Sequence, residues 1–401
     1  MQTMFTMPTL VRFGRGSRRD LVPMLRESNV SRVFLVTDAG VVAANLVEEP
    51  LNAMRDAGID VLVHSTAQAN APDTGIELAA EEARSFRPDA IVSLGGGSVI
   101  DTAKGVNILL SNPAPLSLYD GVNLVKNPGR LHIAIPTTAG TSSEMTVVAV
   151  ISDTKQAKKM VLFGRNVSAS VALIDPELTY GLPPAITAHT GMDALTHAIE
   201  AYLSTAASPM TDAIAPEAVA LIAENLPLAY ENGNNHDARD AVMLGCQMAG
   251  VCFSNAGLGL VHSLAQPMGA HCHVPHGLAN AICLAAVMRH TLPAVAERKT
   301  IRLAAALGIS VTGRAKPALD AAIADTLARL ARRLHIPTIT EAGVTREYIP
   351  AMSEDALREL STPTAPRIPS VAEVEALYGE LFAQADEVGG MRRDSPDKQA
   401  A

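Results

Sequence analysis

The stretch "GMDALTHAIE", residues 191–200, sets Asp193 and His197 four places apart in otherwise apolar sequence. In a helix of about 3.6 residues per turn, positions four apart share a face. Both side chains therefore leave the same side of a stripe built on Met192, Leu195 and Ile199. An ionised carboxylate beside an imidazole is costly to bury unless something pairs with it. Downstream, "GLGLVHSLAQPMGAHCHVPHG" (257–277) supplies His262, His271, His273 and His276, four of the eleven histidines within fifteen residues. A first-row divalent metal uses a carboxylate and neutral imidazoles together and would relieve that cost. A histidine on an apolar face is also a common satisfied core residue. Spacing alone does not say which of these histidines bind.

A second constellation lies earlier in the chain. "AIVSLGGGSVIDTAKG" (90–105) reads as a strand, three glycines and a helix start, with Ser98 and Asp101 at N-cap and N3 spacing. Glycines let backbone amides approach a phosphate, and the new helix points its positive end at the same place. A plain tight turn is the other reading of such a run. "PTTAGTSSE" (136–144) follows another strand and is expected to line the same crevice. "VTDAG" (36–40) closes a strand with Asp38. An acid there suits the ribose hydroxyls of NAD and repels the 2′-phosphate of NADP, or else caps the helix that follows.

The elements that must position these residues divide into two halves. Strand candidates 33–37, 60–64, 89–94, 131–135 and 147–151 alternate with helical stretches such as 41–57 and 73–86. That alternation predicts a parallel α/β sheet wrapped by helices. After "YGLPPA" (180–185) the pattern is almost entirely helical, and the chain closes on the polar "MRRDSPDKQAA". At 401 residues, 48% hydrophobic and 18% charged, the chain is long enough for two domains with substantial cores. A net charge of −9 without a basic stripe argues against nucleic acid as a partner. No apolar run is long enough to span a bilayer, and no signal peptide is read at the start. Four cysteines without a CxxC pair read as thiols of a reducing cytoplasm.

Taken together, "GGGSVIDTAK", "PTTAGTSSE", "GMDALTHAIE" and "HSLAQPMGA…VPHG" resemble the iron-containing (group III) alcohol dehydrogenases over nearly the whole chain. The resemblance implies an α/β N-terminal dinucleotide-binding domain plus an all-α C-terminal domain, the dehydroquinate synthase-like fold, with the active site between them. The boundaries are drawn at 1–181 and 182–390, with a polar tail at 391–401. It further implies that Asp193, His197, His262 and His276 are the metal ligands, leaving out His271 and His273. By the same resemblance Gly95, Gly96, Gly97 and Ser98 meet the pyrophosphate and Asp38 the adenosine ribose. Thr137, Thr138 and Thr141 would run along the cofactor, Lys159 near the nicotinamide ribose, and Leu178 beside the dinucleotide. Phe253 and Val148 would wall the pocket. The expected cofactors are NAD and Fe²⁺, although three imidazoles and a carboxylate also suit Zn²⁺.

The expected reaction is reversible hydride transfer between NAD(H) and a small primary alcohol, diol or aldehyde, in a cytoplasmic homo-oligomer, a dimer or larger. One departure matters. Many members of the family carry a second histidine four residues after the third ligand, and here Gln266 stands there, on the face of His262 but unable to titrate. It is expected to meet substrate or cofactor, leaving proton exchange to water, a ribose hydroxyl, His271 or His273. Ser361 lies near where some relatives place a pocket cysteine. The rival readings are a maleylacetate-reductase-like or other anionic-aldehyde reductase, a dehydroquinate-synthase-like lyase, and a binding protein on a decayed scaffold. The intact ligand set and the scarcity of cations near it count against all three, although Arg130 and Arg367 are loop cations that an anionic aldehyde could meet.

Overall fold

The computed structural model describes residues 5–156 and 158–393. The first half contributes strands β1 (Leu10–Phe13), β2 (Arg32–Val36), β3 (Asp60–His64), β4 (Ala90–Gly95), β5 (Gly121–Val122), β6 (Leu131–Pro136), β7 (Val148–Asp153), β8 (Lys158–Phe163) and β9 (Val171–Ile174). Its helices are α1 (Leu21–Glu27), α2 (Ala39–Ala43), α3 (Glu48–Asp56), α4 (Asp73–Phe86) and α5 (Gly97–Leu109). Six strands form one parallel sheet in the order β1-β9-β6-β4-β2-β3. Its central strands β2, β4 and β6 are buried almost throughout, as parallel strands covered by helices on both faces must be.

Three expectations are corrected here. The strand expected at 147–151 exists as β7, but it runs antiparallel to β8 in a separate three-stranded sheet with β5. The link to β8 is too short for the crossover that a parallel partner requires, and β7 alternates buried and half-buried residues instead of being buried throughout. The helix expected over 41–57 breaks into α2 and α3, with Asn45 between them at φ 58°, a left-handed position that asparagine tolerates. Helix α5 starts at Gly97 with the Gly96 backbone as its N-cap, so Ser98 is not the cap. Instead Ser98 Oγ accepts from Asn70 N at 3.1 Å. Strands β1, β5, β8 and β9 were not among those predicted.

The second half is helical: α6 (Pro184–Leu203), α7 (Pro209–Glu231), α8 (His236–Ala256), α9 (Leu260–Cys272), α10 (His276–Thr291), α11 (Glu297–Ala306), α12 (Lys316–Arg333), α13 (Ile349–Arg358) and α14 (Val371–Arg393). Helix α14 runs through 391–393, so the tail expected from 391 begins inside a helix, and its remainder lies outside the described residues. No single helix among the described residues is long and apolar enough to cross a membrane. Helices α6, α7 and α8 pack on one another, and α9 and α10 close over α6 around one large apolar core. Arg239 on α8 ties the halves together, donating to the carbonyls of Thr179 at 2.9 Å and Leu182 at 3.1 Å.

One buried pair shapes the edge of the α/β half that faces the helices. Asp101 and Lys104, both on α5, hold the connection between β6 and β7. Asp101 accepts from Ser143 Oγ at 2.5 Å and Val150 N at 3.1 Å. Lys104, only 1% exposed, donates through Nζ to the carbonyls of Ser143, Thr146 and Val148. Burial, opposed by Asp101 and Glu144, lowers the Lys104 ammonium to about 8. Lys104→Met removes the cation and leaves those carbonyls and Asp101 buried without it. Breaking one side of a buried charge pair costs roughly 3–5 kcal/mol. Urea unfolding is expected to show a loss of that order, and a loss below about 1 kcal/mol would contradict the role.

Candidate active site

Strand pairing brings the nucleotide-type turns together. Residues Gly95 of β4 and Pro136 of β6 are register partners, and β2 flanks β4, so the loops after all three strands share the carboxyl edge of the sheet. The glycines are there for close approach. A Cβ on Gly97 would lie 2.5 Å from Thr141 Oγ1, and one on Gly95 would lie 2.6 Å from Val99 Cγ2. Beside them, Thr138 packs against Gly96 and Thr137 is buried. Asp38 follows β2 at this edge and caps α2, accepting from Val41 N at 2.8 Å. Leu178, after β9, is buried in the α/β core.

Helix α6 carries Asp193 and His197 on one face, α9 carries His262, and His276 opens α10. One ligand-type atom from each lies within 4.8 Å of the other three. The Nε2 atoms of His197, His262 and His276 stand 3.8, 3.9 and 3.6 Å from Asp193 Oδ1. Donors about 2.1 Å from a shared tetrahedral ion lie about 3.4 Å apart, so these separations need little adjustment. Asp193, His197 and His262 are buried, while the His276 side chain is 32% exposed towards the cavity. Burial, opposed by the Asp193 charge, lowers His197 to about 3 and His276 to about 4. Both rings are therefore neutral near pH 7, the form that binds a metal.

Outer contacts fix which ring nitrogen faces inward. His262 Nδ1 donates to Glu200 Oε2 at 2.6 Å, and Glu200 Oε1 accepts from Val261 N at 2.6 Å. His197 Nδ1 donates to the Gly140 carbonyl at 3.3 Å, so the loop after β6 also orients a ring in the helical half. Asn280 Nδ2 donates to Asp193 Oδ1 at 2.7 Å and lies 3.1 and 3.2 Å from the Nε2 atoms of His262 and His276. Its Oδ1 is buried without a partner. Glu200 and Asn280 were absent from the sequence-based set, yet spacing points to both. Glu200 lies seven residues after Asp193, and Asn280 four after His276, each on the face of its ligand.

A cavity of about 300 Å³ joins the two constellations. From the α/β half it is lined by Gly97, Ser98, Thr141, Val148 and Lys159. From the helical half it is lined by His197, His262, His276, Phe253, Gln266 and Ser361. Phe253 stacks on His197 with ring centroids 4.3 Å apart. Lys159 Nζ donates to Asn70 Oδ1 at 3.0 Å and Ser152 Oγ at 2.9 Å, and burial lowers it to about 8. Gln266 makes no side-chain hydrogen bond among the described residues. His271 and His273 stand apart from the cluster: His271 bonds Asp355 at 2.8 Å, and His273 is exposed in a left-handed turn. Neither arginine expected near an anionic substrate lines the cavity. Arg130 is an exposed loop residue and Arg367 is paired with Glu373.

Known proteins share this arrangement of domains. The pattern of the iron-containing alcohol dehydrogenases matches residues 8–176, and that of the C-terminal region of the Fe-containing alcohol dehydrogenase family matches 187–382. The NAD-dependent methanol dehydrogenase of Bacillus methanolicus is 37% identical over 373 residues, covering 93% of this chain and 98% of that protein. The sulfoacetaldehyde reductase of Bilophila wadsworthia is 37% identical over 347 residues, covering 86% and 89%. The crystal structure of a 1,3-propanediol oxidoreductase superposes with a TM-score of 0.92 at 34% identity, covering 95% of this chain and all of that one. With matches of this extent over both halves, the chain belongs to the iron-containing alcohol dehydrogenase family.

Proposed function

We propose that the protein is a metal-dependent, NAD-linked dehydrogenase that interconverts small primary alcohols or diols and their aldehydes. The observation that carries this reading is the convergence of Asp193, His197, His262 and His276 at the wall of the cavity that also receives the glycine turn. Four acceptors turned on one another, with Asn280 as the amide donor among them, are the donor set a divalent cation requires. We take that ion to be Fe²⁺, with Zn²⁺ also suited to these donors. When bound, the ion supplies Lewis-acid polarisation of the substrate oxygen, and NAD supplies the ring that accepts hydride.

The chain's own residues do the positioning. Glu200 and the Gly140 carbonyl hold two imidazoles with Nε2 inward. Phe253, stacked on His197, shields that side of the site from water. Gly95, Gly96, Gly97 and Ser98 present the start of α5 to a pyrophosphate, and Thr137, Thr138 and Thr141 flank it. Lys159 is placed for a ribose hydroxyl, and Gln266 for a polar group of the substrate. Leu178, in the apolar core of the α/β half, is assigned to the side of the dinucleotide. An NADH absorbance assay across an alcohol panel, after anaerobic Fe²⁺ loading, tests the reading, and no turnover with any member overturns it.

We further propose a cytoplasmic homo-oligomer. Support comes from four free cysteines and from edge strand β1, where Leu10 and Phe13 are 55% and 41% exposed. Light scattering that reports a monomer would refute the oligomer.

Elemental analysis is expected to find one metal per chain. In His262→Ala the remaining three ligands leave the site incompletely closed, so metal and turnover should both fall sharply. Full occupancy in that variant removes His262 from the ligand set. Asp38→Gly is expected to raise NADP use relative to NAD, because the carboxylate after β2 repels a 2′-phosphate. A native enzyme that already prefers NADP in kcat/KM contradicts that placement. Gln266→His is expected to add an ionisation near pH ~6.5 to the rate profile. An unaltered profile would show that position 266 does not reach the reacting groups.

A further inference from the structure

The cavity holds one acid that neither the metal cluster nor the cofactor turn uses. Glu359 follows α13 and lines the same space as His262, Gln266 and Lys159. Its carboxylate has no hydrogen bond and no ion pair among the described residues. The other cavity acid, Asp101, is engaged by Ser143 and Val150. Nearby, Lys159 Nζ donates to the neutral oxygens of Asn70 and Ser152, and Arg358 pairs with Glu354 and Asp355. The charged and titratable groups that act on Glu359 are Asp355 from its own helix, His262 from α9 and Lys159 from β8. Burial and then Asp355 push the Glu359 carboxyl up to about 7, against the opposing pull of His262 and Lys159. Leu258, Leu360 and Phe163 line the same cavity.

Glu359 is half-buried, and a carboxylate without a donor from the chain offers its oxygens to a ligand that brings an O–H within reach. A ligand that brings a second negative charge meets repulsion that the low dielectric strengthens. We propose that Glu359 sets the substrate class: it accepts a hydrogen bond from a second hydroxyl, as on a diol, and excludes aldehydes bearing a carboxylate or sulfonate. This rests on the dehydrogenase reading above. It places the discriminating group in the helical half, two residues before Ser361.

The test uses the metal-loaded full chain at pH 8, where the carboxylate is mostly ionised. kcat/KM is measured for 1,3-propanediol, 1-propanol and sulfoacetaldehyde, and calorimetry gives the affinity of the enzyme–NADH complex for 1,3-propanediol. The wild type is expected to prefer the diol to propanol and to use sulfoacetaldehyde poorly. Glu359→Ala removes the acceptor, so the diol-to-propanol ratio and the calorimetric affinity for the diol should each fall about tenfold, the scale of a hydrogen bond to a charged group. Glu359→Gln keeps an acceptor but removes the charge, so sulfoacetaldehyde should gain about tenfold while the diol loses less than in the alanine variant. A wild type that prefers sulfoacetaldehyde, or variants whose ratios do not move, overturns the role of Glu359 alone. Absence of turnover with all three substrates overturns the dehydrogenase reading and this inference with it.

Discussion

A negative charge buried among imidazoles is the constraint on which the rest of this structure depends. Asp193 sits 1% exposed in a helix that is itself nearly all core, and burial of that kind is tolerated only with compensation. Within the chain Asn280 of α10 donates to it, while His197 of α6, His262 of α9 and His276 of α10 face it with further acceptor nitrogens, a set that a bound cation would satisfy. None of these helices can shift much without opening that four-acceptor set. Their packing over α6 is therefore tied to the electrostatics of the site as well as to apolar contact. Glu200 adds a second buried carboxylate on the same helix, and it too is answered, by His262 and the first turn of α9.

The same logic extends across the junction between the halves. Gly140, in the loop after β6, orients His197, while Ser142 in that loop donates to the Cys246 carbonyl of α8 at 2.8 Å. That loop is in turn held by Asp101 and Lys104 from beneath. One connection thus touches the glycine turn, the imidazole cluster and the helical core. The cavity lies where these meet, so the glycine turn and the acid–histidine cluster are brought together by the folding of both halves. Its charge balance follows from the same packing. Lys159 at its wall is held by the neutral oxygens of Asn70 and Ser152, and Glu359 lines the same space without a hydrogen bond among the described residues.

Local order set much of this before any packing. The four-residue spacing of Asp193 and His197 placed both on one helical face, and strand-glycine-helix grammar marked the turn at 95–97. Burial of the central strands was readable because continuous apolar runs suit a sheet covered on both faces. Spacing could not choose among His262, His271, His273 and His276: His262 and His271 leave opposite faces of α9, and the break before α10 then sets His273 and His276 in different directions. His262 and His276 turn inward, His271 meets Asp355, and His273 ends its helix in a left-handed conformation exposed to solvent. Nor could local pattern separate β7 from the parallel sheet or show that Gly96, not Ser98, caps α5. Strand pairing and cap geometry are settled by partners distant in the chain. The fate of each cavity charge is likewise tertiary. Lys159, Arg367, Gln266 and Glu359 read alike as polar residues in sequence, and only their neighbours in space decide which are paired and which remain to meet a substrate.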